Sequence, residues 1–386
     1  MEHQKYRILW LTNFPFSSLN GGTERITHIA MEELAKRGHT CRYISIRNGY
    51  CFDEDEQEVQ LSDFLKENRI GFAINQIGYA ENVLKTFLDE GGRRWQSEGG
   101  KIISCLHFST KPYSYSHLYS AAMAVTGIRQ KIKNFFLLQR EFWRGRFGNR
   151  YQGKQFCFRH SDRYVVLAQG YVQELLDQVK SKAIEKMYVI PNVVSFADQS
   201  LGKESEKKEK IVLVVSRLSE FQKRLSLVML AWRKLTEASD LGKWQLHIVG
   251  SGDSENYYKR LARQWKLSHV SFIPFCDPRP HYAKAAVFLM TSYTEGWPLT
   301  LGEAMHFGCV PIVMDSVSVF RDILDMRSGI IVEDGNVKAL AQSIRYIIDH
   351  NEERVKMSHH AIKRSRLFDR SRYYVYWEKL FASISL

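Results

Sequence analysis

TEGWPLTLGEAMHFGCV, residues 294–310, is the stretch that determines the predicted fold. An apolar run at 285–290 precedes it and another at 309–314 follows it. That order is typical of a strand, a tight loop, a short helix and a second strand. Pro298 suits the first turn of such a helix, and Gly308 suits its end.

The same stretch carries two carboxylates beside a predicted helix N-terminus. Glu295 and Glu303 lie eight positions apart, and Gly296 between them lets the backbone approach a ligand closely. Free amide groups at the helix start favour an anion, whereas the two acids would repel one unless they contacted a different, hydroxyl-bearing part of the ligand. A sugar nucleotide has both parts, a diphosphate for the amides and hydroxyls for the acids.

The alternation of strands and helices repeats along the chain in two halves. The first half opens with a strand at 7–14, a loop containing Gly21 and Gly22, and a helix at 24–37 closed by Gly38, which indicates a parallel sheet. A polar, charged stretch at 195–210 is typical of a linker. We therefore predict an α/β protein with two doubly wound, Rossmann-like domains, 1–194 and 195–370, and a last helix, 371–386, that returns to the first domain.

Composition restricts the class of protein. Hydrophobic residues make up 44% and charged residues 25% of the 386 positions, as in soluble globular proteins. The six cysteines form no CxxC pair, so neither a zinc site nor a disulfide framework is indicated. No apolar run is long enough to span a bilayer and no signal peptide is recognisable, so we expect a cytoplasmic protein. The DxD sequence at 53–55 lies in an acidic run and is interpreted as a solvated loop, not a metal site.

The positive charge is concentrated in one part of the chain. Net charge is +13, and residues 101–150 contribute nine Lys and Arg against one acid. Within them, the basic and aromatic segment 128–150 could lie on an anionic membrane surface, or it could pack on the sheet with solvated basic side chains. No helix-turn-helix, RNP or zinc pattern supports a nucleic-acid partner.

Further candidate residues follow predicted strands. Arg217 and Lys223 come after the first strand of the second half, where an arginine fork and a lysine charge can grip phosphate. His107 ends a strand of the first half, at the sheet edge where ligands bind in α/β proteins. The pair Gly21-Gly22 precedes a helix, but GGTER is not GxGxxG, so dinucleotide binding is not supported.

Taken in order, these pieces resemble glycosyltransferase family 4, a family of bacterial polysaccharide-type enzymes. The likeness covers nearly the whole chain and rests on NGGTERITHIAMEELAKRGH, VIPN, SRLSEFQKR, VGSGD and TEGWPLTLGEAMHFGCVP. It implies the GT-B architecture, in which two Rossmann-like domains face each other across a cleft. It also implies retaining transfer of a sugar from a nucleotide-diphosphate sugar, with UDP favoured, to a glycan or lipid-linked acceptor in cell-surface polysaccharide synthesis. A sugar-nucleotide epimerase of the same architecture is the alternative.

The resemblance assigns a role to each candidate residue. It implies that Gly21 and Gly22 lie against the donor, and that His107 lies near the reacting side of the sugar. Arg217 and Lys223 would neutralise the diphosphate in place of a metal, so no metal or other cofactor is expected. Glu295 would bond sugar hydroxyls, Glu303 would hold the ribose, and the strand end at Phe275 would flank the base. The remaining donor contacts are expected at Gly296, Trp297, Pro298 and Leu299.

The sequence departs from the family pattern at three positions. Ser216 stands where a glycine often precedes the arginine, and Arg224 stands where a glycine often follows the lysine. Val193 replaces a glycine that commonly follows Pro-Asn. These departures concern donor detail and leave the predicted class unchanged. The same resemblance places a lipid-linked acceptor at the cytoplasmic membrane face, where the segment 128–150 would dock the enzyme.

Overall fold

The computed structural model describes residues 4–15, 21–111, 151–195 and 208–385, with single helical positions at Ile132, Phe136 and Gln139. These residues form two compact units. The first unit holds the described residues up to Thr110, those at 151–195, and those from Asp369 onward; the second holds Lys111 and the residues from Lys208 to Phe368. Most of the basic segment 128–150 lies outside the described residues, so its membrane hypothesis stays a prediction.

The first unit is built on a seven-stranded sheet in the order β3-β2-β1-β4-β5-β6-β7. All neighbouring strands are parallel except the edge pair β2 and β3. Its strands are β1 (Arg7–Thr12), β2 (Thr40–Arg47), β3 (Tyr50–Phe52), β4 (Phe72–Asn75), β5 (Lys101–Leu106), β6 (Arg163–Val166) and β7 (Met187–Val189). Its described helices are α1 (Gly22–Ala35), α2 (Leu61–Glu67), α3 (Glu81–Phe87), α4 (Arg93–Ser97), α5 (Gln152–His160) and α6 (Tyr171–Val179).

The second unit is built on a six-stranded, fully parallel sheet in the order β10-β9-β8-β11-β12-β13. Its strands are β8 (Glu209–Val215), β9 (Gln245–Val249), β10 (Val270–Ile273), β11 (Ala285–Met290), β12 (Val310–Asp315) and β13 (Ile330–Glu333). Its described helices are α7 (Glu220–Lys223), α8 (Leu225–Ala238), α9 (Glu255–Gln264), α10 (Arg279–Lys284), α11 (Leu299–His306), α12 (Val319–Ile323), α13 (Val337–Asp349) and α14 (Asn351–Ser365).

The last helix, α15 (Tyr373–Ser385), belongs to the first unit. Trp377 packs edge-on against Trp10 of β1, with ring centroids 5.1 Å apart. Phe381 packs against Phe72 of β4 at 4.7 Å. The chain therefore leaves the first unit after Ser195 and returns to it at Asp369.

Burial explains the parallel sheets. Every residue of β11 is buried, and β1 is buried except at Arg7. A strand that is apolar along its whole length must be covered on both faces, and helices on both faces of a parallel sheet provide that cover. The predicted α/β class with two doubly wound sheets is confirmed. Left-handed backbone at Gly38 and Gly308 confirms both glycines as helix ends.

Three local predictions were wrong. β1 ends at Thr12, not at residue 14, and β8 begins at Glu209, inside the predicted linker. Pro298 is the N-cap of α11 and not part of its first turn, because its ψ of 89° is not helical.

No described helix is long and apolar enough to cross a membrane.

Candidate functional site

The candidate site of the second unit lies at the carboxyl ends of β8 and β11. These two strands are neighbours in the centre of the sheet, and the strand order reverses direction between them. Ligands of open α/β sheets bind at such a switch point, because the loops that follow the two strands diverge there. Arg217 follows β8, and the loop 291–298 follows β11.

The loop after β8 is held by backbone contacts to the loop after β9. Leu218 donates its amide to the carbonyl of Ser251 at 2.8 Å and accepts from the amide of Ser254 at 2.9 Å. Gly250 makes this approach possible: its φ is 142°, and a Cβ there would lie 2.0 Å from the Ser216 carbonyl oxygen. The loop leaves Arg217 exposed, with its Nη2 3.2 Å from Gln222 Oε1.

Lys223 and Glu295 form an enclosed ion pair at this edge of the sheet. Their Nζ and Oε1 atoms are 2.5 Å apart, and the side chains are only 14% and 8% exposed. Lys223 ends α7, and Glu295 belongs to the loop after β11. The residue predicted to bind phosphate and the residue predicted to bind the sugar are therefore in direct contact, which places a cation and a carboxylate at one point.

The loop after β11 leads into the open end of α11. The first amides bonded in this helix are those of Leu301 and Gly302, both to the Pro298 carbonyl. The amides of Leu299 and Thr300 precede them and lie at the helix start, where they and the helix dipole favour an anion. Trp297 is buried and packs edge-on against Phe368 at 5.0 Å, which fixes the loop to the second unit.

Two further donor candidates of this unit differ in exposure. Glu303, on α11, is 1% exposed, and the Tyr282 hydroxyl donates to its Oε2 at 3.1 Å. Phe275 follows β10 and is 82% exposed, an unusual position for a large apolar side chain. An exposed ring at a sheet edge can stack on a planar base. The place assigned to Phe275 beside the nucleotide base stays a prediction.

In the first unit, His107 follows β5 and bonds to Gln76 at the end of β4. The Gln76 side-chain oxygen accepts from His107 Nε2, which places the ring proton on that nitrogen. His107 Nδ1 is enclosed and has no hydrogen-bond partner among the residues that the structure describes. Burial lowers the pKa of His107 to about 4, so the ring is neutral near pH 7.

The glycine pair and the acidic run of the first unit have plain structural surroundings. Gly21 is the N-cap of α1 with an extended backbone, and Gly22 is the first residue of that helix. Asp53 Oδ1 accepts from the amides of Asp55 and Gln57 at 3.0 and 2.9 Å, so the DxD sequence forms a capped turn. Over the described ranges, no three His, Cys, Asp or Glu side chains are grouped to hold a metal ion.

Comparison with known proteins identifies the second unit. Residues 197–364 match the family "Glycosyl transferases group 1", and the match contains Arg217, Lys223, Glu295 and Glu303. The second unit is a glycosyltransferase group 1 domain. The resemblance to glycosyltransferases is thus confirmed, and assignment to family 4 in particular stays a prediction.

Similarity extends beyond the group 1 domain. An uncharacterized glycosyltransferase of Haemophilus influenzae is 25% identical over 88% of this chain and 90% of its own length. A lipopolysaccharide 1,6-galactosyltransferase of Salmonella typhimurium is 26% identical over 44% of this chain and 47% of its own. The pneumococcal O-GlcNAc transferase GtfA, solved with UDP and GlcNAc, superposes with a TM-score of 0.70 at 12% identity, covering 99% of both chains. That likeness shows the fold, which is GT-B.

Sequence reasoning missed two supporting side chains of the group 1 domain. Glu220 is 7% exposed, and its carboxylate accepts from the Tyr258 hydroxyl at 2.8 Å and the Ser226 hydroxyl at 2.5 Å. Burial raises the pKa of Glu220. Arg224 forms an ion pair with Asp334, with 2.5 Å between Nη2 and Oδ1. No spacing rule reveals Glu220; for Arg224, the signal was an arginine where the family pattern has glycine.

Proposed function

We propose that this chain is a retaining, metal-independent glycosyltransferase of family 4 that moves a hexose from a UDP-sugar. The acceptor would be a glycan or a lipid-linked oligosaccharide in cell-surface polysaccharide synthesis. The observation that carries the proposal is the enclosed Lys223–Glu295 pair at the switch point of the group 1 domain. It offers one charge for a phosphate and one acceptor of hydrogen bonds for sugar hydroxyls.

The proposed chemistry follows from where charge develops. When the bond between sugar and diphosphate breaks, negative charge grows on the leaving nucleotide. Arg217, Lys223 and the amides at the start of α11 supply fixed positive charge and donors for that nucleotide. Groups arranged in advance in this way stabilise the transition state more than the ground state. Two cations can therefore take the place of a divalent metal ion.

Glu295 and His107 would act on the sugar rather than on the phosphate. An ionised Glu295 accepts hydrogen bonds only, which suits sugar hydroxyls. A neutral His107, with its proton on Nε2, would lie near the sugar without adding a charge. We propose that the leaving phosphate itself takes the acceptor's proton by front-face attack, as the family resemblance implies.

Two relatives support the choice of donor and product. GtfA was solved with UDP and GlcNAc, and the Salmonella protein is named for galactosyl transfer in lipopolysaccharide. The experiment is a screen of UDP-hexoses with glycan and lipid-linked acceptors, in the presence and absence of EDTA. We expect transfer that survives EDTA, with the donor's anomeric configuration retained in the product by NMR. Inversion, or complete loss of activity with EDTA, would contradict the proposal.

Substitutions at the ion pair test the site. Replacing Lys223 by Met or Glu295 by Gln should lower kcat/KM about a hundredfold or more, because each removes a group that acts on the transition state. A single substitution also removes the opposite charge from a largely buried partner, which lowers stability. The double variant Lys223→Met/Glu295→Gln has no unpaired charge, so recovered folding without recovered activity would place both residues in the reaction.

The matched control is the exposed ion pair Lys259–Glu255 of α9, with 2.6 Å between its charged atoms. Replacing Lys259 by Met and Glu255 by Gln should leave kcat/KM within twofold of the parent. Equal losses of kcat/KM at the two ion pairs would contradict the assignment of Lys223 and Glu295 to the site. Nucleotide release from a UDP-sugar without any acceptor would instead favour the sugar-nucleotide epimerase.

A further inference from the structure

Arg224 has a backbone conformation that an arginine adopts only at a cost. It joins α7 to α8 with φ 49° and ψ 44°, the left-handed region. That region is unfavourable for any residue with a Cβ, and glycine is the residue that occupies it freely. Glycine often stands here in the family pattern described above. Whether the side chain contributes something that glycine cannot therefore depends on its contacts.

The guanidinium group of Arg224 binds the segment that follows β11. Its Nε donates to the carbonyl of Thr291 at 2.8 Å, and its Nη2 donates to the carbonyl of Ser292 at 3.3 Å. The same Nη2 pairs with Asp334, and the group lies 5.3 Å from the ring centroid of Tyr293. With the side chain 12% exposed, this fork is largely shielded from water.

Contacts also run in the opposite direction between these two segments. The Thr291 hydroxyl lies 2.9 Å from the carbonyl of Lys223 and 3.1 Å from that of Arg224, and it donates to them. The Tyr293 amide donates to the carbonyl of Gln222 at 2.8 Å. Residues 222–224 and 291–293 are thereby bonded side by side. Lys223 lies in the first segment, and Glu295 lies two residues beyond the second.

We propose that Arg224 is a positioning residue that sets the distance between Lys223 and Glu295 for the donor. The proposal rests on the proposed function, because it concerns the same donor site. Arg224 acts through the backbone of 291–293 and through Asp334, not on the donor itself. Its rigid planar fork reaches two carbonyls and a carboxylate at once, which a lysine with a single ammonium group does not reproduce.

The test is Arg224→Gly, which permits the left-handed backbone and removes the side chain that carries the fork. We expect kcat/KM for the donor to fall about 10- to 100-fold, because small misplacements of positioned groups cost that much. The KM for the donor should rise while the KM for the acceptor stays within twofold. A general loss of folded protein would instead lower kcat and leave both KM values unchanged. Arg224→Lys retains the charge without the fork and should recover less than a third of the loss.

Lys266→Gly is the matched control. Lys266 is exposed, belongs to the same unit and has φ 50°, so glycine relieves the same backbone cost away from the site. Its kcat/KM should equal that of the parent. A value for Arg224→Gly within twofold of Lys266→Gly would overturn the proposal, as would full activity in Arg224→Lys.

A second measurement separates this proposal from the proposed function. UDP binding by calorimetry should weaken in Arg224→Gly and in Asp334→Asn, and the double variant should be no weaker than the worse single variant. Additive losses of UDP affinity in the double variant would overturn the positioning role of Arg224, even if the parent transfers sugar efficiently. Absence of transfer by the parent with every UDP-hexose would contradict the proposed function, whereas non-additive UDP binding would still support the role of Arg224.

Discussion

At the residue scale, enclosure determines which side chains of the site can change charge. His107 is held by Gln76 and has an enclosed Nδ1, and burial lowers its pKa to about 4. Burial therefore disfavours the protonated, charged form of the ring. The ring is unsuited to acting as a cation near neutral pH.

His107 should make the folded state sensitive to acid. Its pKa is near 6.5 when unfolded and about 4 when folded, so the unfolded chain binds the proton more tightly between these values. The free energy of unfolding should be greatest above pH 6.5 and should decline as the pH falls towards 4. In His107→Asn the free energy of unfolding should decline less steeply between pH 6.5 and 4. Urea unfolding at a series of pH values measures it.

The control for this titration is His359→Asn, at an exposed position of α14. It should change the free energy of unfolding at pH 7 by less than about 0.5 kcal/mol. The same slope in His107→Asn and in the parent would show that His107 binds no additional proton on unfolding, and the lowered pKa assigned to it would then be wrong.

At the scale of elements, the site depends on loops that are bonded to each other rather than on single strands. The loop after β8 presents Arg217, and it is held against the loop after β9 by the backbone contacts of Leu218. That close approach requires a residue without a side chain at Gly250. The first glycine of the VGSGD sequence thus meets a steric requirement in this chain.

Gly250→Ala should disturb both stability and donor binding. Its Cβ would lie 2.0 Å from the Ser216 carbonyl at a φ of 142°, so the two loops must separate. We expect a loss of about 1–3 kcal/mol in the free energy of unfolding, typical of overpacking, together with weaker UDP binding as Arg217 moves. Urea unfolding and calorimetry measure the two effects.

Gly242→Ala provides the comparison for this prediction. Gly242 also has positive φ, at 58°, but a Cβ there would meet no atom within 4 Å. This substitution should lower the free energy of unfolding only by the local backbone strain, and it should leave UDP binding unchanged. If Gly250→Ala binds UDP as Gly242→Ala does, the loop contact does not position Arg217.

At the scale of the whole molecule, the first unit is not one continuous part of the sequence. α15 is the last helix of the chain, yet it completes the first unit. Arg370, ahead of it, pairs with Glu33 of α1 at 2.7 Å, and Glu378 lies 3.0 Å from the ring of His39. Ion pairs and aromatic packing together attach the chain end to the unit that begins the sequence.

Trp377→Ala should therefore destabilise the first unit from a position near the chain end. Trp377 is 2% exposed and packs against Trp10, so truncation should cost about 3–5 kcal/mol. Proteolysis in mild urea should release fragments of the first unit earlier than fragments of the second unit. Tyr346→Ala, at a side chain 44% exposed on α13, is the control and should leave the order of cleavage unchanged.

The sequence by itself determined the elements and the class. Continuous apolar strands, helices at regular spacing and glycines at helix ends are local signals, so the two doubly wound sheets could be predicted before any contact was known. Arg217, Lys223, Glu295 and Glu303 could also be named as candidates for a donor site, because the family resemblance rests on the sequence motifs that contain them. Chain-local patterns suffice for naming candidates.

Only the tertiary structure decided how these groups are held. The contact between Lys223 and Glu295, which lie 72 positions apart, depends on β8 and β11 being neighbours in the sheet. The bonding of Arg224 to residues 291–292 and Asp334 has the same origin, as does the enclosure that lowers the pKa of His107. Burial and pairing across the sheet depend on which strands lie side by side, and local sequence does not contain that information.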